Sequence, residues 1–125
     1  MLLDLSAAFD TIDYSILLFR LSTTFGFDGL ALRFLSSYLS NRTQSVSIET
    51  ELSPPSPLLT GVPQGSVLGP LLFCLYTSPL TSVLSSSPVA AHFYADDTQL
   101  YISFSASELS CSLAKLTSAL DLTYA

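Results

Sequence analysis

Apolar positions change their spacing several times along this chain, and each change predicts an element. Leu2, Leu3 and Leu5 form a short run interrupted by Asp4, the pattern of a buried strand that ends at a carboxylate. From Tyr14 onward, Ile16, Leu17, Leu18, Leu21 and Phe25 recur at helical spacing. Asp13 stands where a helix needs a cap, and Gly26 where a helix can stop. Asp28 heads a second helical set, Leu30, Leu32, Phe34, Leu35, Tyr38 and Leu39, closed by Asn41. Residues 43–50 alternate, with Val46 and Ile48 on one side, and predict a half-exposed strand. The Pro-rich stretch 53–57 is a turn or rigid connector, after which Leu58 and Leu59 can pair back. Residues 61–65 read as a loop. The run from Val67 to Leu84 reads as a helix, with Pro70 near its first turn, where proline is tolerated.

Two β-rich stretches, Val89–Ala95 and Thr98–Phe104, flank Asp96 and Asp97, which predicts a hairpin with those two residues as its turn. The last segment, Ser107–Tyr124, is an amphipathic helix with Ser107 as its cap and Leu109, Leu113, Leu116, Leu120 and Cys111 on its inner side. No internal repeat or domain boundary is visible. The order predicts an α+β fold, a small antiparallel sheet with helices packed on one face.

Composition sharpens this picture. In 125 residues there is room for one domain with a real core. Apolar residues make up 49% and charged residues only 11%, so disorder is excluded and part of the surface is expected to be covered by neighbouring segments. No Asp, Glu, Lys or Arg lies between Glu51 and Asp96, but Gly69, Pro70 and Pro79 interrupt the apolar run, and a buried helix rather than a membrane span is expected.

Ten acidic residues stand against four basic ones, and Arg20, Arg33, Arg42 and Lys115 form no patch. That balance argues against autonomous binding to nucleic acid, which needs a basic face. Cys74 and Cys111 have neither disulfide-framework nor zinc spacing. Cys74 reads as a buried thiol, and an intracellular location is expected. The amino-terminal residues do not have the form of a signal peptide.

The candidate chemistry lies in the carboxylates. Asp4 ends one strand, Asp96 and Asp97 sit at a hairpin tip, and an antiparallel sheet can bring all three to one edge. Carboxylates gathered in that way repel one another unless a cation lies among them, and Mg²⁺ prefers oxygen ligands of this kind. Taken alone, an Asp-Asp pair in a hairpin is equally an ordinary solvated turn.

Three blocks in order add a family resemblance. Leu3-Asp4-Leu5-Ser6-Ala7-Ala8-Phe9-Asp10-Thr11-Ile12-Asp13 resembles the first palm motif of LINE-type reverse transcriptases. Gly61-Val62-Pro63-Gln64-Gly65-Ser66-Val67-Leu68-Gly69-Pro70 resembles the second, and Phe93-Tyr94-Ala95-Asp96-Asp97-Thr98 the third, the Tyr-x-Asp-Asp box. Their wording is more similar to LINE elements of vertebrates than to retroviral enzymes or intron maturases. The resemblance covers roughly residues 2–104 and implies a polymerase palm.

The reaction it implies is RNA-templated DNA synthesis, nucleotidyl transfer to a primer 3′-hydroxyl with two Mg²⁺ ions. It implies catalytic roles for Asp4, Asp96 and Asp97, and metal binding by these three and the Leu5 carbonyl. Phe9 matches the steric gate against a ribose 2′-hydroxyl, and Gln64 and Gly65 match the loop beside the nucleotide and template. His92 reads as a strand residue. Tyr14 stands where many relatives have histidine.

The implied partners are an RNA template, a DNA primer and deoxynucleotides, in the nucleus or cytoplasm. The resemblance also marks residues 1–125 as a partial domain. The fingers, the later palm motifs and the thumb would lie outside it and cover its bare apolar faces. The expectation is that this segment alone does not polymerise. Two readings stand beside it, a non-catalytic retrotransposon remnant and a hydrophobic interaction module.

Overall fold

The structure, a computed structural model, describes residues 1–5 and 7–123, and of Asp4 the backbone alone. In chain order the elements are β1 (Leu2–Asp4), α1 (Tyr14–Thr23), α2 (Gly29–Leu39), β2 (Thr43–Gln44), β3 (Ser47–Ile48), β4 (Glu51–Leu52), β5 (Ser56–Pro57), α3 (Leu68–Thr77), α4 (Pro79–Ser85), β6 (Ala90–Tyr94), β7 (Asp97–Tyr101) and α5 (Leu109–Thr123). A 3₁₀ turn, Ala106–Glu108, leads into α5. The fold is mixed α+β, as the pattern predicts. The chain falls into two compact units, Met1–Ser6 with Thr77–Ala125, and Ala7–Tyr76, with no composition shift in the sequence to mark the boundary.

In the first unit the sheet has the order β1-β7-β6, all antiparallel. Strand β7 is central, and its side chains alternate: Thr98 and Leu100 are buried, whereas Asp97, Gln99 and Tyr101 are exposed. The buried face joins Leu84 of α4, Val89 and Ala119 of α5 around Leu100, with Leu3, Leu80, Ala91 and Leu116 at the margin. Helices therefore cover one face of this sheet. The α5 face differs from the expected one. Ser112, Leu116 and Ala119 turn inward, while Leu109, Leu113 and Cys111 are exposed. Helix spacing allows either stripe, and it is Leu116 and Ala119 that join the core around Leu100.

The helix start also shifts. Ser105, not Ser107, is the cap, in a capping box with Glu108, so the helical segment opens two residues earlier. Its expected end at Tyr124 lies outside the described residues.

In the second unit Leu17 and Leu21 of α1, Leu35 and Leu39 of α2, and Leu72 and Phe73 of α3 form a core with Ala8, Ile12 and Val62. Asp13 accepts the Ile16 amide at 2.9 Å and so caps α1, whereas the Asp28 side chain makes no such bond. The expected single strand over 43–50 is broken at Ser45 and Val46. It forms a two-stage ribbon instead, β2 against β5 and β3 against β4, and the return strand comes at Ser56–Pro57, just before Leu58.

The expected helix from Val67 to Leu84 is two helices. Pro79 lacks an amide hydrogen and its ring clashes with a preceding carbonyl, so α3 stops at Thr77 and Pro79 opens α4. Among the described residues no single helix is long and apolar enough to cross a membrane; α3 and α4 reach that length only as a broken pair. Cys74, expected to be buried, is exposed on α3, because Leu72 and Phe73 take the inward positions.

Candidate functional site

The three carboxylates belong to the first unit, and backbone pairing brings two of them together. In the ladder between β1 and β7, Asp4 stands directly opposite Asp97. Antiparallel partners have Cα atoms about 4.5–5.5 Å apart. The Asp4 carboxylate lies outside the description, so its convergence with the other two is left to the pairing of the backbones.

The hairpin turn is Ala95-Asp96, closed by the pair Tyr94 and Asp97, one residue earlier than the sequence suggests. Asp97 is thus the first residue of β7, and Asp96 is the second turn residue, half-buried. Ala95 has φ +51°, the sign pattern of a type II′ turn, in which glycine is favoured at that place. A non-glycine residue held at such a positive φ costs about 1–3 kcal/mol.

Around Asp97 the exposed face of the sheet forms an open hollow of about 460 Å³, lined by Leu2, Leu3, His92, Tyr94, Asp97 and Gln99. His92 stacks on Tyr101 at 5.9 Å across the two strands. His92 is therefore an exposed strand residue, as its sequence position suggests. Among the described residues no three His, Cys, Asp or Glu side chains gather closely enough to hold a metal ion. The donor set does suit a hard divalent cation: Asp96 and Asp97 are carboxylates on consecutive residues, and Asp4 is registered against Asp97. Leu5 follows β1 and is exposed.

Phe9, Gln64 and Gly65 belong to the second unit, and there the loop 61–66 is laid along residues 9–13. The Gly61 amide donates to the Ile12 carbonyl at 2.9 Å and the Val62 amide to the Phe9 carbonyl at 2.8 Å. Asp13 and Thr60 form an isolated β-bridge. The approach is close enough to require glycine: a Cβ on Gly61, at φ +86°, would lie 2.9 Å from the Asp10 Cα. Phe9 is half-buried, its ring 5.1 Å from that of Phe73.

Gln64 and Gly65 are exposed at the crest of the loop. At the far end Ser66 donates to the Pro63 carbonyl at 2.7 Å and accepts the Gly69 amide at 2.9 Å, starting α3 as a capping serine does. A polar hollow of about 400 Å³ adjoins the loop, lined by Asp10, Arg42, Gln44, Thr60 and Gln64 among others.

Two residues at this loop have no role in the sequence reading. Arg42, one of four scattered basic residues, donates from Nη1 to the Gly61 carbonyl at 2.6 Å and to the Tyr14 hydroxyl at 3.3 Å. Tyr14 in turn donates to the Thr60 carbonyl at 2.8 Å. The available signal was scarcity: in a chain with so few cations, an arginine just before a strand invites the question of what its five donors serve.

The family model of reverse transcriptase (RNA-dependent DNA polymerase) matches residues 1–122. Three curated proteins of Drosophila melanogaster are similar. The probable RNA-directed DNA polymerase from transposon X-element is 37% identical over 99 residues, 76% of this chain and 10% of its own length. The RNA-directed DNA polymerase from mobile element jockey is 36% identical over 102 residues, 77% of this chain and 11% of its own. The probable RNA-directed DNA polymerase from transposon BS is 33% identical over 111 residues, 81% and 12%. The chain therefore spans about a tenth of the length of these relatives. No solved structure gives a significant match.

Proposed function

The chain belongs to the reverse transcriptase (RNA-dependent DNA polymerase) family of non-LTR retrotransposons, and from that premise we propose that it is the palm of such a polymerase. Its reaction is nucleotidyl transfer from a deoxynucleoside triphosphate to a primer 3′-hydroxyl on an RNA template. One observation carries the reading: Asp4 is registered against Asp97 across the sheet, and Asp96 occupies the adjoining turn. A hairpin with a merely solvated Asp-Asp turn needs no carboxylate on the neighbouring strand.

On this reading Asp4, Asp96 and Asp97, with the Leu5 carbonyl, would hold two Mg²⁺ ions. When bound, they favour the attacking 3′-oxygen and the departing pyrophosphate. The exposed sheet face around Tyr94, Asp97 and Gln99 receives the primer end. Gln64 offers both a donor and an acceptor to the nucleotide or template, and Gly65 lets the backbone come near it. The Phe9 ring occupies the space a ribose 2′-hydroxyl would need.

By itself this segment is not expected to extend a primer. Its net charge is −6, and no basic residue lies in the three motifs. A polyanion needs cations to be gathered and held, and positioned charge on the triphosphate to react. The companion parts of a full polymerase would supply both, inside the cell.

The test has two arms. Mn²⁺ titrated into the purified chain should broaden the amide signals of Asp4, Asp96 and Asp97 first, and the effect should fade in Asp96→Asn. Uniform broadening across the surface would refute the metal site. Primer extension with RNA template, DNA primer, deoxynucleotides and Mg²⁺ should stay at background. Extension that disappears in Asp96→Asn would uphold the site and overturn the inactivity.

The reading as a non-catalytic interaction module draws on the exposed Phe19, Leu30, Phe34, Val46, Ile48 and Leu52 of the second unit. A chain that sediments as a soluble monomer counts against it.

A further inference from the structure

We propose that Arg42 and Tyr14 are positioning residues that fix the nucleotide-facing loop from its carbonyl side. The inference rests on the polymerase reading of Gln64 and Gly65 above and adds two residues to it. Four successive backbone groups of the loop base are held: the Thr60 carbonyl, the Gly61 amide, the Gly61 carbonyl and the Val62 amide. Backbone partners from residues 9–13 hold the two amides. Side chains hold the two carbonyls, Tyr14 that of Thr60 and Arg42 that of Gly61.

The side-chain pair is itself joined, since Arg42 Nη1 also reaches the Tyr14 hydroxyl. One cation therefore serves both tethers, and a hydrogen bond from a charged donor is shorter and stronger than a neutral one. Arg42 is anchored in turn, because its own carbonyl accepts the Leu58 amide at 2.8 Å at the foot of the β2/β5 ribbon. Beyond the tethered base, Ser66 locks the loop's other end onto α3. The exposed crest, Gln64 and Gly65, is left suspended between two fixed points.

Gly61 is buried, so its carbonyl needs a protein partner, whereas the exposed Thr60 could leave its carbonyl to water and is nonetheless held by Tyr14. The half-buried Arg42 gives up hydration to serve the pair. The arrangement suits a crest whose position must be reproducible when a triphosphate arrives. An amide that waits in place loses less freedom on binding than one that must first be ordered.

The experiment compares the unaltered chain with Tyr14→Phe, Arg42→Gln and Arg42→Lys, in two readouts. In hydrogen exchange, Tyr14→Phe and Arg42→Gln should speed the Gly61 and Val62 amides by roughly 5- to 10-fold, the loss of about one hydrogen bond. Amides of α1 and of β7 should keep their rates. In a longer active polymerase carrying this segment, whose companion parts supply cations for the triphosphate, the same variants should raise the KM for dTTP about 5- to 10-fold with little change in kcat. Mn²⁺ broadening at Asp96 and Asp97 should not change, and Arg42→Lys should recover part of both effects.

Unchanged exchange at Gly61 and Val62 overturns the tether whatever the nucleotide does. Faster exchange with an unchanged KM for dTTP reduces Arg42 and Tyr14 to structural residues and overturns the positioning role. A Gln64→Ala change in the longer polymerase that leaves the KM for dTTP unmoved overturns the nucleotide reading, and with it the purpose given to a tether that the exchange data would still report.

Discussion

Replacing Gly61 with alanine should cost far more stability than the same change at Gly65, although both glycines have nearly the same φ. Their φ angles are +86° and +82°. An L-residue in that region costs about 1–2 kcal/mol. Alanine recovers about 0.4–1 kcal/mol of this by restricting the unfolded chain. Gly65→Ala meets nothing within 4 Å, so it should cost only the difference, roughly 0.5–1.5 kcal/mol.

At Gly61 the new Cβ would also lie 2.9 Å from the Asp10 Cα, 3.0 Å from the Asp10 oxygen and 3.1 Å from the Phe9 oxygen. All three are backbone atoms, which cannot rotate aside. Crowding of this kind adds about 1–3 kcal/mol, for a total near 2–4 kcal/mol. Urea denaturation of the two variants and the parent, followed by far-UV circular dichroism, measures the difference through the midpoint and slope. Equal costs for the two substitutions would refute the close approach of the loop to residues 9–13, and with it the pairing of Val62 with Phe9.

Three further outcomes follow from the same structure. Leu100→Ala removes the fully buried centre of the first unit's core and should cost about 2–5 kcal/mol, while the neighbouring exposed Gln99→Ala should stay within about 0.5 kcal/mol; similar urea midpoints for the two would mean that the strand faces are assigned backwards. Glu108 is held below the ordinary carboxylate pKa by the Ser105 hydroxyl, then by the Ser105 amide. A depressed folded pKa gives stability that is present above the unfolded value and is lost as pH falls through the folded one. The urea midpoints of parent and Glu108→Gln should therefore differ at pH 6 and converge toward pH 3, and a gap that widens with acid would show the sign to be wrong. In a longer active polymerase carrying this segment, Phe9→Ala should raise ribonucleotide incorporation relative to deoxynucleotide; an unmoved ratio would leave Phe9 as the core partner of Phe73.

Local pattern made much of the fold legible, because much of it is local. Asp13 before the run from Ile16 to Leu21, and Asn41 after Leu39, mark helix ends through the chemistry of a few adjacent residues. The misreadings arise where tertiary packing decides. Spacing on α5 allowed a leucine stripe, but packing buries Ser112 and Ala119 and leaves Leu109 and Leu113 exposed. The hairpin turn was misplaced by one residue, since Ala95 is not a residue that announces a positive φ.

At the candidate site, the motif order made the carboxylates, Phe9 and the Gln64 loop visible. Arg42 and Tyr14 were not, because their partners are backbone carbonyls 19 and 46 positions away, and carbonyls carry no sequence signature.

The pairing of residue 4 with residue 97 also has a kinetic side. Closing a loop of roughly 93 residues costs about 4 kcal/mol by the length-dependent part alone, against about 1 kcal/mol for a hairpin turn of a few residues. Residues 7–76 form a continuous unit, and β6 with β7 a local hairpin, so both can form from neighbouring chain. Strand β1 can only dock onto a hairpin already made. Within this segment Asp4 is thus made before its partner strand and reaches its place after it, and the paired carboxylates Asp4 and Asp97 come together only once the hairpin has emerged.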